Sequence, residues 1–249
     1  QEFVRVAKCL KPKIILGENV KGLLSRKTVD GEYFLNLIVR DFENIGYDMY
    51  YSLFNLENYG IPQKRRRLII YGIRKDLDIN INLTLLEHKK KKYNKDIIEK
   101  SLHNAIEIKD DSIKKCMEKT VILDKIYPIT GKPPTNLLKC YNNKKLSFKT
   151  RSSSTHSCII DLDDYARTIL CSYNRMPRLF VPLSYKEKYY LRPYTINELQ
   201  QIQGFPKSYT FCGKESEQIK QIGNAIPPKF IKHVCKYIKG ILNGEIIEI

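Results

Sequence analysis

Residues 60–72 read GIPQKRRRLIIYG, and they set four consecutive cations, Lys64, Arg65, Arg66 and Arg67, directly before Leu68-Ile69-Ile70. A basic run is usually a solvated face or a loop that meets polyanions without specificity. Here the apolar run fixes where the charges sit, because a run of that kind reads as a buried strand. If the strand begins at Arg65, period-two alternation puts Arg65 and Arg67 on one face and Arg66 on the other. Two guanidiniums then point together from the end of a rigid element, which suits a site better than a smear of charge.

Working outward, KPKIILGENV holds a short apolar strand, Ile14 to Leu16, that ends in polar Glu18 and Asn19. Asp30 is placed to cap a helix whose apolar positions Phe34, Leu37, Ile38, Phe42 and Ile45 recur at helical spacing, with Gly46 as the stop. Tyr47 to Leu56 and Arg66 to Ile73 read as two more strands. Strand, helix and strand in this order predict a parallel α/β sheet. From about Leu86 the chain becomes polar and weakly periodic: EHKKKKYNK is a charge run, and only short β-like pieces such as CIIDL and TILCSY follow. Order returns at PYTINELQQIQGFP, where Thr195 and Glu198 form a capping box, Tyr194 and Leu199 a hydrophobic staple, and Gly204 with Pro206 the stop. A last helix opens at Pro227-Pro228, after the loop GNAI, and buries Phe230, Ile231, Val234, Ile238 and Leu242. The expected division is residues 1–85, an inserted loop-rich domain at 86–189, and a return to the first domain at 190–249.

The 249 residues are 42% hydrophobic and 29% charged, enough for one sizeable core or two modest ones. Lys and Arg outnumber Asp and Glu by 44 to 27, a net charge of +17. Such an excess bears on partners rather than fold, and nucleic acid leads among them. The seven cysteines are scattered without a CxxC pair, so neither a zinc site nor a disulfide framework is signalled, and reduced thiols are expected. No apolar run approaches the roughly 20 residues needed to span a bilayer, so no membrane role is expected.

Glu18 falls just past the carboxyl end of a strand, the edge where open α/β sheets bind ligands. A carboxyl there can serve as a general acid if burial raises its pKa, or it can be an ordinary surface acid that starts a loop. GNAIPP is equally ambiguous, as a Gly-Asn turn before a proline-started helix is common capping that also exposes backbone N–H groups to a ligand.

Four blocks together, ENVKGLL, GIPQKRRRLIIYGIRKD, RPYTINELQQIQGFP and QIGNAIPP, in this order and with a long insert before the third, resemble the cytosine-specific C5 DNA methyltransferases. The resemblance covers roughly half of the chain, at its two ends. It implies part of a Rossmann-like, S-adenosyl-L-methionine-dependent methyltransferase sheet with an inserted, loop-rich target-recognition domain, acting on double-stranded DNA. By the same resemblance Glu18 binds a flipped cytosine at N3 and its exocyclic amine, and Asn19 supports the loop. Arg65 and Arg67, from the Q-x-R-x-R motif that Gln63 opens, contact the base and orient the glutamate, leaving Lys64 and Arg66 for phosphate. Arg192 matches an arginine that braces the recognition domain. Thr168-Ile169 in YARTILCSY resembles a Thr-Leu pair near the flipped nucleotide. Asn224, Ala225 and Ile226 match the last motif, which closes over the cofactor. No metal is implied.

Two of the family's motifs have no counterpart in these residues. There is no aromatic-x-Gly-x-Gly loop to hold the cofactor, and no cysteine follows a proline to supply the nucleophile. The chain is therefore expected to be the C-terminal part of such an enzyme or a subunit of a split one, inactive alone, with a missing N-terminal part or complementary subunit as partner. A restriction-modification setting and a cytoplasmic (prokaryotic or viral host cell) or nuclear location are expected. The alternatives are a non-catalytic, sequence-specific DNA-binding remnant of such an enzyme and an RNA cytosine methyltransferase.

Overall fold

The structure, a computed structural model, describes residues 1–79, 92–133, 137–141, 145–148, 157–173 and 179–243. Most of the charge run at 87–92 lies outside them. The chain opens with α1 (Glu2–Leu10), β1 (Ile14–Val20), α2 (Phe34–Glu43), β2 (Tyr47–Asn55), the two-residue β3 (Gln63–Lys64) and β4 (Arg66–Arg74). Then come β5 (Leu102–His103), β6 (Ile106–Ile108), α3 (Asp111–Lys115), β7 (Val121–Ile122), β8 (Ile129–Thr130), β9 (Leu137–Tyr141) and β10 (Lys145–Phe148). The order closes with β11 (Ser157–Ile159), β12 (Ala166–Arg167), β13 (Leu179–Tyr185), β14 (Lys188–Pro193), α4 (Ile196–Ile202), α5 (Glu215–Asn224) and α6 (Pro228–Leu242).

These elements divide into two compact units. The first comprises Gln1–Tyr59, Arg65–Glu87 and Ile231–Ile249, and the second Gly60–Lys64 and His88–Phe230.

In the first unit β4 lies between β1 and β2 and runs antiparallel to both. This corrects the all-parallel sheet expected from the sequence. β1 and β2, joined through α2, are parallel to one another as the strand–helix–strand reading requires. The link from β2 to β4 is only residues 56–65, too short for a helical crossover, so the chain reverses and β4 inserts between its predecessors. One face of the sheet carries Ile15 with Ala7, Phe42 and Tyr47, and a second cluster joins Leu23, Leu35, Leu68 and Ile70. Gly72 keeps the centre of β4 thin: a Cβ there would stand 2.5 Å from Met49 Sδ and 2.6 Å from Ile15 Cγ1. α2 starts at Tyr33, whose side chain makes no capping bond, rather than at Asp30. Asp30 sits instead in a turn closed by Gly31 N–H donating to Thr28 O, with Gly31 at φ +83°.

The second unit is built on a sheet in the order β6-β14-β13-β11-β10-β9, with β7 also paired to β13. Its core gathers residues distant in sequence, among them Leu102, Ala166, Ile169, Val181, Tyr190, Leu199 and Ile222. The capping box at α4 is present in full, Thr195 N–H donating to Glu198 Oε2 (2.8 Å) and Glu198 N–H to Thr195 Oγ1 (3.2 Å). α5 was not expected. It takes in the Gly223-Asn224 read as loop, because Gly223 is buried against chain: a Cβ on it would stand 2.6 Å from Cys171 N and 2.7 Å from Leu170 C. Cys116 is disulfide-bonded, a departure from the reduced thiols expected.

Candidate functional site

In the first unit the antiparallel register pairs Val20 with Arg67 and Glu18 with Ile69. Glu18 and Arg67 are therefore diagonal neighbours on one face, within reach of long side chains. Arg67 Nε stands 2.5 Å from Glu18 Oε1, with only 12% and 20% of the two side chains exposed. Arg67 also donates through Nη1 to Arg66 O (2.8 Å). Glu18 and Asn19 belong to β1 itself, which runs on to Val20, whereas the sequence ended that strand at Leu16.

β4 begins at Arg66, one residue later than the alternation argument assumed. Arg65 joins β3 to β4 with its backbone held on both sides: its carbonyl accepts from Leu56 N–H (2.9 Å), and its N–H donates to Glu57 Oε2 (3.3 Å). The exposure pattern still alternates, Arg65 at 2% against an exposed Arg66 and a half-buried Arg67. Burial is the main influence on Arg65. Together with the positive charge of Arg67, and against the attraction of Glu18, it lowers the guanidinium to about 10. Burial likewise lowers Arg67, partly offset by the charge and hydrogen bond of Glu18. Two desolvated cations and one carboxylate thus converge at the end of a rigid strand. Such a constellation suits a planar polar ring that offers both donors and acceptors.

The remaining site candidates other than Asn19 lie in the second unit. β3 pairs in parallel with β12, Gln63 opposite Ala166 and Lys64 opposite Arg167. Gln63 is fully buried; its Oε1 accepts from Ile169 N–H (3.0 Å) and its Nε2 donates to Gln203 Oε1 (2.7 Å). Gln203 Nε2 in turn donates to Ala225 O (2.5 Å). A line of buried amides thereby joins the Thr168-Ile169 segment to the Asn224–Ile226 segment. Gln203, central to that line, carried no signal in the sequence beyond its place before Gly204. Thr168 Oγ1 donates to Lys64 O (2.7 Å), and Lys64 Nζ pairs with Asp164 Oδ2 (2.5 Å). Asn19, in the first unit, is exposed and accepts from Val20 N–H (2.9 Å).

Arg192 is wholly buried, and its side-chain donors all find acceptors. It meets both carboxylate oxygens of Glu198 (2.8 and 2.6 Å), and the carbonyls of Ser101 (2.7 Å), Glu99 (2.9 Å) and Pro193 (2.8 Å). Its position is that of an internal brace in the second unit.

Asn224 is exposed and Ala225 and Ile226 are half-buried, with the Ala225 carbonyl already engaged by Gln203. Among the described residues, no group of three or more His, Cys, Asp or Glu is placed to hold a metal. No described helix is long and apolar enough to cross a membrane.

The family profile for C-5 cytosine-specific DNA methylase matches residues 1–240. The type II methyltransferase M.FnuDI of Fusobacterium nucleatum is 31% identical over 98% of this chain and 69% of its own length. The type II methyltransferase M.DdeI of Desulfomicrobium norvegicum is 26% identical over 95% of this chain and 65% of its own. The chain thus spans about two thirds of the length of these relatives. A solved structure assigned as a DNA modification methyltransferase, encoded within an Escherichia coli prophage, superposes with a TM-score of 0.62 at 18% identity. That match covers 97% of this chain and 73% of the other, and the likeness is one of fold alone.

Proposed function

The chain belongs to the C-5 cytosine-specific DNA methylase family, and we propose that it is the base-holding and DNA-reading part of a type II cytosine-5 DNA methyltransferase. The family uses S-adenosyl-L-methionine, which supplies the methyl group. The observation that carries the reading is the meeting of Glu18, Arg65 and Arg67 at the ends of β1 and β4.

The target carbon lies inside the duplex stack, so the cytosine is taken out of it to be reached. A cytosine edge presents an exocyclic amine, N3 and O2. The Glu18 carboxyl accepts from the amine and shares a proton with N3, while a guanidinium donates to O2. Addition of a thiolate at C6 pushes electron density towards N3 and O2, where these groups stabilise it. C5 is thereby made nucleophilic enough for the methyl group that S-adenosyl-L-methionine would supply on leaving as its thioether, and passage of the C5 proton to water would expel the thiolate.

That thiolate comes from a segment outside these 249 residues. Five described cysteines are free, Cys9, Cys158, Cys171, Cys212 and Cys235, and none follows a proline. Cys158, the buried one, has its thiol pushed up by burial, with the charge of Arg167 opposing, the reverse of what activates a nucleophile.

The test is transfer of labelled methyl groups to duplex DNA, by the purified chain and by the chain mixed with a polypeptide that carries a Pro-Cys loop and a cofactor loop of the same family. Label is expected at cytosine C5 only in the mixture. Robust C5 methylation by the chain alone would overturn this assignment of roles, and a DNA-binding remnant would give label in neither.

A further inference from the structure

The second unit holds a cleft of about 260 Å³ that the base-holding role does not use. Lys64, Asn94, Cys158, Asp164, Tyr165 and Arg167 are among its lining residues. Small-molecule pockets run to about 300–1,000 Å³, so this one is small for an organic ligand, yet it has ample room for a phosphate.

Its backbone is fixed. Ala166 N–H donates to Pro62 O (3.2 Å), Thr168 Oγ1 to Lys64 O (2.7 Å), and Ile169 N–H to Gln63 Oε1 (3.0 Å). Asn94, buried at the side, has both amide ends engaged, donating to Asp161 O (2.6 Å) and accepting from Tyr194 Oη (2.8 Å). From this frame Lys64 and Arg167, partners in the β3–β12 register, both lie exposed, while their neighbours Gln63 and Ala166 are buried. Paired residues of a parallel ladder share a face, so the two cations stand side by side.

Asp164 pairs with Lys64 and feels the charge of Arg167. Burial opposes its ionisation, but the Lys64 hydrogen bond, the Tyr165 N–H and the charges of Lys64 and Arg167 outweigh it and leave the carboxyl below its ordinary value. The Lys64–Asp164 pair is half exposed, 51% and 42% by side chain, so a competing anion can reach it. The other acid of the cleft, Asp161, turns its carboxylate to Asp163 N–H (3.0 Å).

We infer that Lys64 and Arg167 form a clamp for one backbone phosphate of the DNA, and that Asp164 occupies the clamp as an internal stand-in until DNA displaces it. The inference rests on the DNA substrate proposed above. It gives Asp164 an attenuating role: binding must break an ion pair, so affinity for any duplex is lowered by about the same factor.

The experiment measures binding of a fluorescein-labelled duplex oligonucleotide of random sequence by anisotropy, across a salt series, for the full chain and four variants. Asp164→Asn keeps an acceptor for Tyr165 N–H and frees Lys64. It should tighten binding about two- to fivefold, the scale of losing one exposed ion pair. Asp111→Asn makes the same charge change away from the cleft and should tighten binding less. Lys64→Met and Arg167→Met should each flatten the slope of log K against log salt by about 0.9, the share of one phosphate contact. Equal effects of Asp164→Asn and Asp111→Asn, or unchanged slopes in both methionine variants, would overturn the clamp while leaving the DNA substrate standing. Absence of any duplex binding by the parent chain at low salt would remove both.

Discussion

Burial takes the Arg65 guanidinium out of water, and with the nearby charge of Arg67 it lowers the group to about 10. Against the ordinary arginine value this is a penalty on the order of 3 kcal/mol for holding the charge in the folded chain. The sign follows from linkage. A cation whose folded pKa is depressed carries its full penalty below the folded value, and the penalty fades only as pH rises from about 10 towards the ordinary range. Across neutral pH it is constant. Arg65→Met should therefore raise the denaturation midpoint by a similar amount at pH 6 and pH 8 while slowing methylation in the reconstituted mixture, a stability–activity trade at one residue. A lowered midpoint in Arg65→Met would show that the charge is stabilising where it stands.

The alternation that places Arg65 and Arg67 together was legible in the sequence, since three apolar residues after the cations fix the pleat. The partner of Arg67 was legible only through the family resemblance and not from the pattern, because the Glu18–Arg67 contact depends on β4 lying beside β1 in one register. Nor was the burial of Gln203, which arises from two amides brought together across 140 residues of chain.

At the scale of elements, Gly72 and Gly223, both close against other chain segments, do different work. Gly72 sits in β4 under the flexible Met49 and the branched Ile15, whereas Gly223 faces backbone atoms of Leu170 and Cys171. A side-chain neighbour can move aside; a backbone neighbour moves only with its whole segment. Gly72→Ala should cost about 1–3 kcal/mol by overpacking, and Gly223→Ala more, read as the shift in denaturation midpoint. Equal midpoints for Gly223→Ala and the parent would mean that α5 does not pack as described.

The sequence presents Gly223 as an ordinary turn glycine because nothing local marks the approach of residues 170–171. The cap of α4 is fully local, one Thr-x-x-Glu window, and it was legible for that reason. The cap assigned to Asp30 failed because the turn through Gly31 draws Asp30 away and leaves Tyr33 to begin α2. The antiparallel entry of β4 was hidden too: an apolar run states burial, not direction.

Over the whole molecule, composition marks a change of character near residue 86. It carries no trace of Gly60–Lys64 crossing into the second unit, which follows from β3 pairing with β12, residues about a hundred places away. That crossing divides the basic run. Lys64 lines the cleft of the second unit, whereas Arg65 and Arg67 lie with Glu18 in the first. On the proposed reading the charge of +17 is of two kinds, exposed cations to meet a polyanion and buried ones to hold a base. The most direct measurement of this division compares Arg65→Ala, Arg66→Ala and Arg67→Ala, assayed together for methylation rate in the reconstituted mixture and for salt-dependent DNA affinity. Loss of a charge-assisted hydrogen bond in a desolvated site costs about 1.5–3 kcal/mol, roughly a tenfold to hundredfold drop in rate. The account predicts that drop for Arg65→Ala and Arg67→Ala with affinity nearly unchanged, and a much smaller rate effect for the exposed Arg66→Ala. Equal losses of rate and affinity at all three positions would contradict it and leave only a basic patch.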